Sequence, residues 1–154
     1  MAGVVSSALL LAGCGSDTLA VDSFPVTAVG HERCPTLLAG LPDRVSDQGR
    51  RATTGSTFAA AYGDPAIVVR CGVGKPKGFD KFATCNRANG IDWFVSDLEK
   101  VVEDQSLDVR MTTVGRSPAL QVDLPAQYRP PTTAMVDLER AIKKYTKKTG
   151  GCLA

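Results

Sequence analysis

The chain has 154 residues, with 18 Lys and Arg against 16 Asp and Glu for a net charge of +2. That length suits one domain. Its 44% hydrophobic and 22% charged content excludes a disordered chain, and so small a positive excess argues against a nucleic-acid binder.

Met1–Cys14 reads MAGVVSSALLLAGC, a short apolar core around Ala8–Ala12 closed by Leu11, Ala12, Gly13 and Cys14. It is too short for a spanning helix and reads as the end of a secretory signal. L-A-G-C resembles the bacterial lipobox. The resemblance implies a signal peptide over residues 1–13, diacylglycerol in thioether linkage to Cys14, cleavage before it, and fatty acylation of the new amino terminus. The protein is then a lipoprotein on the outer face of the cytoplasmic membrane, held there through its lipid anchor. No Lys or Arg precedes Cys14, whereas such signals open with a basic residue, so a start further upstream is expected. Residues 14–33 read as a tether. Gly15–Gly30 is small, polar and β-branched, and as a flexible chain would average about 20–24 Å end to end. An edge strand over Leu19–Val29 is the alternative.

Residues 34–154 read as one α+β domain. Cys34–Pro42 predicts a short helix with Pro35 at its first position and Pro42 as its stop. Asp43–Gly55 is polar and predicts a loop. Thr57–Tyr62 predicts a strand, Gly63-Asp64-Pro65 a turn, and the doubly apolar Ala66–Cys71 a central strand. A Gly, Pro and Lys loop follows to Lys81. Phe82–Ala88 and Ile91–Val95 flank Asn89-Gly90, whose residues tolerate φ > 0 and so predict a tight hairpin. Ser96–Glu99 resembles a capping box, with a short helix to Asp104. Asp108–Val114 and Ala119–Leu124 alternate as strands, joined by a second hairpin turn at Gly115–Pro118. Thr132 or Thr133 caps a final helix to about Thr146 with an apolar stripe of Met135, Leu138, Ile142 and Tyr145. The sum is an antiparallel sheet of four to six strands with helices at both ends.

Five cysteines are present. Setting Cys14 aside for lipid leaves Cys34, Cys71, Cys85 and Cys152, which in an exported chain imply two disulfides with three possible connectivities. The favoured pairing is Cys71–Cys85 with Cys34–Cys152, worth roughly 3 and 5 kcal/mol by chain entropy. No C-x-x-C occurs and His31 is the only histidine, so no metal or haem cofactor is expected.

Several segments resemble an actinobacterial lipoprotein family known as domain of unknown function 3515: C-P-T-L-L-A-G-L-P at Cys34–Pro42, A-Y-G-D-P-A-I-V-V-R-C-G-V at Ala61–Val73, G-I-D-W-F at Gly90–Phe94, and T-T-V-G-R-S-P-A-L-Q-V at Thr113–Val122. Tyr62 stands where many members carry Trp. The resemblance implies a secreted or membrane-anchored protein and supplies no catalytic residues.

The residues themselves offer no nucleophile–base set. Gly115-Arg116-Ser117-Pro118-Ala119 lacks the last glycine of a nucleophile elbow. Gly72–Gly78 matches no phosphate-loop spacing. The carboxylates Asp92, Asp97, Glu99, Glu103 and Asp104 fit no EF-hand and read as a solvated face. The candidate recognition surface is Tyr62, Asp64, Arg70, Trp93 and Arg116, which combine charge with flat aromatic faces. Arg116 is read as either a binding group or a brace to a neighbouring carboxylate or carbonyl. Arg140, Lys143, Lys144, Lys147 and Lys148 form a basic face that suits the helix C-terminus or anionic headgroups. The expected function is a non-enzymatic accessory or interaction module of the cell envelope with a protein partner. The alternative is a small-ligand or lipid-binding module.

Overall fold

The strands that alternate most cleanly in the sequence lie at the centre of the observed sheet. A computed structural model describes residues 18–80 and 82–152. Its main sheet holds eight strands rather than four to six. They are β2 (Arg44–Val45), β3 (Gln48–Arg51), β5 (Ala59–Tyr62), β6 (Ile67–Val73), β7 (Asn86–Ala88), β8 (Ile91–Val95), β9 (Val109–Val114) and β11 (Ala119–Leu124). Their order is β2-β3-β5-β6-β11-β9-β8-β7, and every neighbouring pair is antiparallel. Two small pairs complete the set: β1 (Leu19–Val21) runs parallel to β4 (Thr53–Gly55), and β10 (Arg116–Ser117) runs antiparallel to β12 (Lys147–Lys148).

Register places Val69, Val122, Met111 and Val95 side by side across β6, β11, β9 and β8. All four are buried, with Ile67, Cys71, Leu120, Leu124, Ile91 and Trp93 joining the same core. Helix α1 (Ala28–Ala39) packs on β6, and α3 (Pro131–Tyr145) packs on α1. Leu37, Leu138 and Ile142 are fully buried in the core these elements share. α3 follows its predicted stripe, although Pro131 at its first position opens it and neither Thr132 nor Thr133 caps it.

The polar stretch 43–55 is three short strands rather than a loop. Ser46 and Asp47 take positive φ angles of 46° and 61° and turn β2 back onto β3. Val45 is the only apolar residue in these three strands, and it is buried, so they leave no apolar alternation to read. α1 also begins six residues before the predicted Cys34 start. Thr27 caps it, accepting a hydrogen bond from the Gly30 N–H at 3.3 Å, and Pro35 lies inside the helix. Residues 18–33, expected as tether, therefore belong largely to the fold. The Asn89-Gly90 hairpin forms as predicted, with φ of 47° and 78°. α2 (Leu98–Glu103) forms without the capping box, because Asp97 rather than Ser96 is its N-cap and makes no side-chain cap bond.

The disulfides are Cys34–Cys71 and Cys85–Cys152, not Cys71–Cys85 and Cys34–Cys152. Three strands separate β6, which bears Cys71, from β7, which follows Cys85. At about 4.8 Å per strand that is roughly 19 Å, well beyond the 7 Å that a disulfide spans between Cα atoms. Cys71 faces α1 instead, where Gly30 and Gly72 let the two backbones meet: a Cβ on Gly72 would lie 2.8 Å from Gly30 Cα and 3.2 Å from Cys34 Sγ. Cys85–Cys152 ties the C-terminal segment to the far edge. Cys14 lies outside the described residues.

Candidate functional site

The sheet face opposite α1 and α3 carries a half-open groove of about 1320 Å3. Alternation decides its floor. With Val69, Val122, Met111 and Val95 turned into the core, the next row is Arg70, Gln121, Thr112 and Phe94 in register across the same four strands. The row beyond sets Asp123 directly opposite Arg110. Arg70 donates to Asp123 from the diagonal position, and Arg110 reaches it through Nε at 2.6 Å and Nη2 at 3.1 Å. One carboxylate thus holds two guanidinium groups in place. The same contact raises the Arg110 pKa further above its ordinary value.

Two walls rise from this floor. On one side Phe24 and Pro25 enter ahead of α1, fixed where the Thr27 N–H donates to the Gly72 carbonyl at 2.8 Å. The Phe24 ring centroid stands 5.9 Å from the Arg70 guanidinium, within cation–π range. The loop after β6 continues this wall. Phe79 packs edge-on against Phe94 at 5.4 Å, and the Lys75 ammonium lies 5.7 Å from the Phe79 ring. α2 and the segment after it form the other wall through Lys100, Val101 and Leu107. The Thr112 hydroxyl, between Gln121 and Phe94, is buried without a hydrogen-bond partner among the described residues.

The five predicted recognition residues do not meet. Tyr62 is fully buried on β5, where its hydroxyl donates to the Pro42 carbonyl at 2.9 Å and burial pushes its pKa up to about 12. Trp93 is fully buried on the core face of β8 beside Ile91 and Val95, its indole N–H without a partner among the described residues. Both are core residues, because each occupies the inward register of its strand. Asp64 stands exposed in its turn, 3.6 Å from Arg51. Arg70 alone reaches the groove floor. Arg116 lines a separate cavity of about 300 Å3 on the other side of Val73–Pro76, the wall the two cavities share.

The carboxylate stretch is divided as well. Asp92 is buried, bound by Arg87 and by the Cys152 N–H at 3.0 Å. The Arg87 hydrogen bond is the main cause that holds its carboxyl below the usual range. Glu99, Glu103 and Asp104 are exposed. Ser106 donates to Asp104 from both its backbone and its hydroxyl and lowers its pKa. His31 packs edge-on against Phe58 at 4.8 Å and does not line the groove.

Arg110, Asp123, Phe24 and Phe94 were not among the sequence candidates. The signal for the first two was present: if Val109, Met111, Leu120, Val122 and Leu124 all face the core, Arg110 and Asp123 must share the opposite face.

A family model described as a protein of unknown function, DUF3515, matches residues 1–150. No curated protein and no solved structure matches the chain.

Proposed function

The chain belongs to the DUF3515 family, and we propose that it is an exported, lipid-anchored, non-enzymatic module of the cell envelope whose working surface is the groove on the open sheet face. The pairing of cysteines carries this reading. Four of the five form two disulfides, which persist in oxidising compartments, and Cys14 is the thiol left over within L-A-G-C. The position of the fold adds to it. Three residues separate Cys14 from Thr18, where the described fold begins, so they reach at most about 14 Å. An anchored domain would sit close against the bilayer instead of swinging on a long tether. In the groove, Asp123 is engaged by two arginines and Asp97 lies 3.7 Å from Lys100, which suits holding a ligand more than exchanging its protons.

Cys14→Ser tests the anchor. The variant should leave the membrane fraction for the soluble one, or accumulate as uncleaved precursor, because lipid chains supply the membrane affinity. Detergent partitioning equal to that of the parent chain would overturn the reading. The groove separately favours a second reading, a lipid-binding module.

A further inference from the structure

The groove joins a cationic floor to apolar walls, and that division defines the class of ligand it can hold. Five cationic side chains line it against three carboxylates. Asp123 is shared by Arg70 and Arg110, so the floor keeps one uncompensated positive charge. At the rim, Lys77 has no ion-pair partner among the described residues, and Lys75 is engaged with the Phe79 ring. Each guanidinium offers five N–H donors in a fixed plane. Asp123 takes one from Arg70 and two from Arg110, which leaves donors on both for an anionic group. Because Asp123 already orders the two side chains, an incoming anion loses less binding energy to ordering them.

The walls would reject a bare anion's hydration shell and welcome hydrocarbon. Phe24, Val73, Phe94, Val101 and Leu107 all border the space. Its volume exceeds the roughly 300–1000 Å3 of ordinary small-molecule sites, so it has room for a head and a chain together. Phe24 lies ten residues after Cys14, so on the anchored reading proposed above it stays within about 36 Å of the lipidated residue.

We infer that the sheet-face groove binds one membrane lipid with an anionic head, the head on Arg70 and Arg110 and its apolar chain along Phe24, Phe94 and Leu107. The inference rests on the groove being the working surface, and its test is independent of the anchor. The 154-residue chain carrying Cys14→Ser is titrated by calorimetry with lysophosphatidylglycerol below its micelle concentration. Lysophosphatidylcholine serves as the zwitterionic control and glycerol phosphate as the head alone. One lysophosphatidylglycerol should bind per chain, at least tenfold tighter than lysophosphatidylcholine. Glycerol phosphate should bind at least a hundredfold more weakly. Shortening the chain by two methylenes should weaken binding about tenfold. Lys77→Glu lies on the exposed rim and should weaken lysophosphatidylglycerol several-fold without shifting the unfolding midpoint. Arg70→Gln should abolish the preference over lysophosphatidylcholine. Equal affinity for the two lysolipids, tight binding of glycerol phosphate alone, or no saturable binding of lysophosphatidylglycerol would each overturn the inference. None of these outcomes bears on whether Cys14 is lipidated.

Discussion

The two faces of the main sheet are built from the same strands and follow opposite rules. On one face, Val69, Val122, Met111 and Val95 form an apolar row in the core that α1 and α3 share. On the other, Arg70, Gln121, Arg110 and Asp123 stay open to solvent or to a ligand. The disulfides divide in the same way. Cys34–Cys71 is fully buried between α1 and β6, whereas Cys85 and Cys152 are both partly exposed where the C-terminal segment meets the far edge. A sheet of period 2 can give stability to one face and recognition to the other only if each keeps its own side-chain chemistry.

The largest expected effect breaks the comparison at its stable face. Ile142 is fully buried in α3 within the core. Ile142→Ala should cost about 2–5 kcal/mol, the range for buried aliphatic truncations. Gln121→Ala, on the open face of β11, should stay within about 0.5 kcal/mol. Urea midpoints of the two variants measure the contrast, and equal losses would mean that the open face is also structural.

That division was legible in the sequence where alternation was strong. β9 and β11 carry it over six residues each, and the Asn89-Gly90 turn and the α3 stripe were equally plain. It was not legible where side chains stay in water or where distance along the chain misleads. β2 and β3 pair at an edge with mostly polar residues. Cys71 and Cys85 are close in sequence, yet their segments lie at the centre and the margin of the sheet. By residue type Tyr62 and Trp93 read as recognition aromatics, and only strand register turns both into the core. Residue type does not single out Arg110 and Asp123 either, since only the pairing of β9 with β11 sets them opposite each other.

A smaller effect sharpens the comparison at the margin, where the open face is covered after all. Asp92 belongs to that face, but the tail lies over it: the Cys152 N–H donates to its carboxylate, and a Cβ on Gly151 would lie 2.6 Å from Oδ2. The Asp92 carboxyl is held below its ordinary value, first by the Arg87 hydrogen bond. A carboxylate with a depressed folded pKa contributes stability above the unfolded value near 3.9, and loses it as pH falls through the folded value. Asp92→Asn should therefore be less stable than the parent by about 1.5 kcal/mol at pH 7, the lower end of what a hydrogen bond to a charged group contributes. The gap should close toward pH 2. Unfolding curves at both pH values check this, and a gap that does not narrow at the lower pH would assign the effect to packing rather than to charge.

The smallest effect concerns Arg116, which stands outside both faces. β10 and β12 set Arg116 directly opposite Lys148 and Ser117 opposite Lys147. Like charges facing each other across an antiparallel pair are unfavourable, so the strand pair is held by its backbone and by the Thr149 N–H donating to the Gly115 carbonyl at 2.9 Å. Among the described residues the Arg116 side chain has neither a hydrogen bond nor an ion pair, and it lines the smaller cavity half-exposed. Of the two readings of Arg116, the brace therefore finds no partner among the described residues. Arg116→Ala should shift stability by less than about 0.5 kcal/mol. Arg116→Glu, which turns the facing pair into opposite charges, should raise it by about 0.2–1 kcal/mol. Added salt should shrink that gain, because exposed pairs are screened. A loss of 1 kcal/mol or more in Arg116→Ala, measured by denaturant unfolding, would restore the brace and take Arg116 out of any binding role.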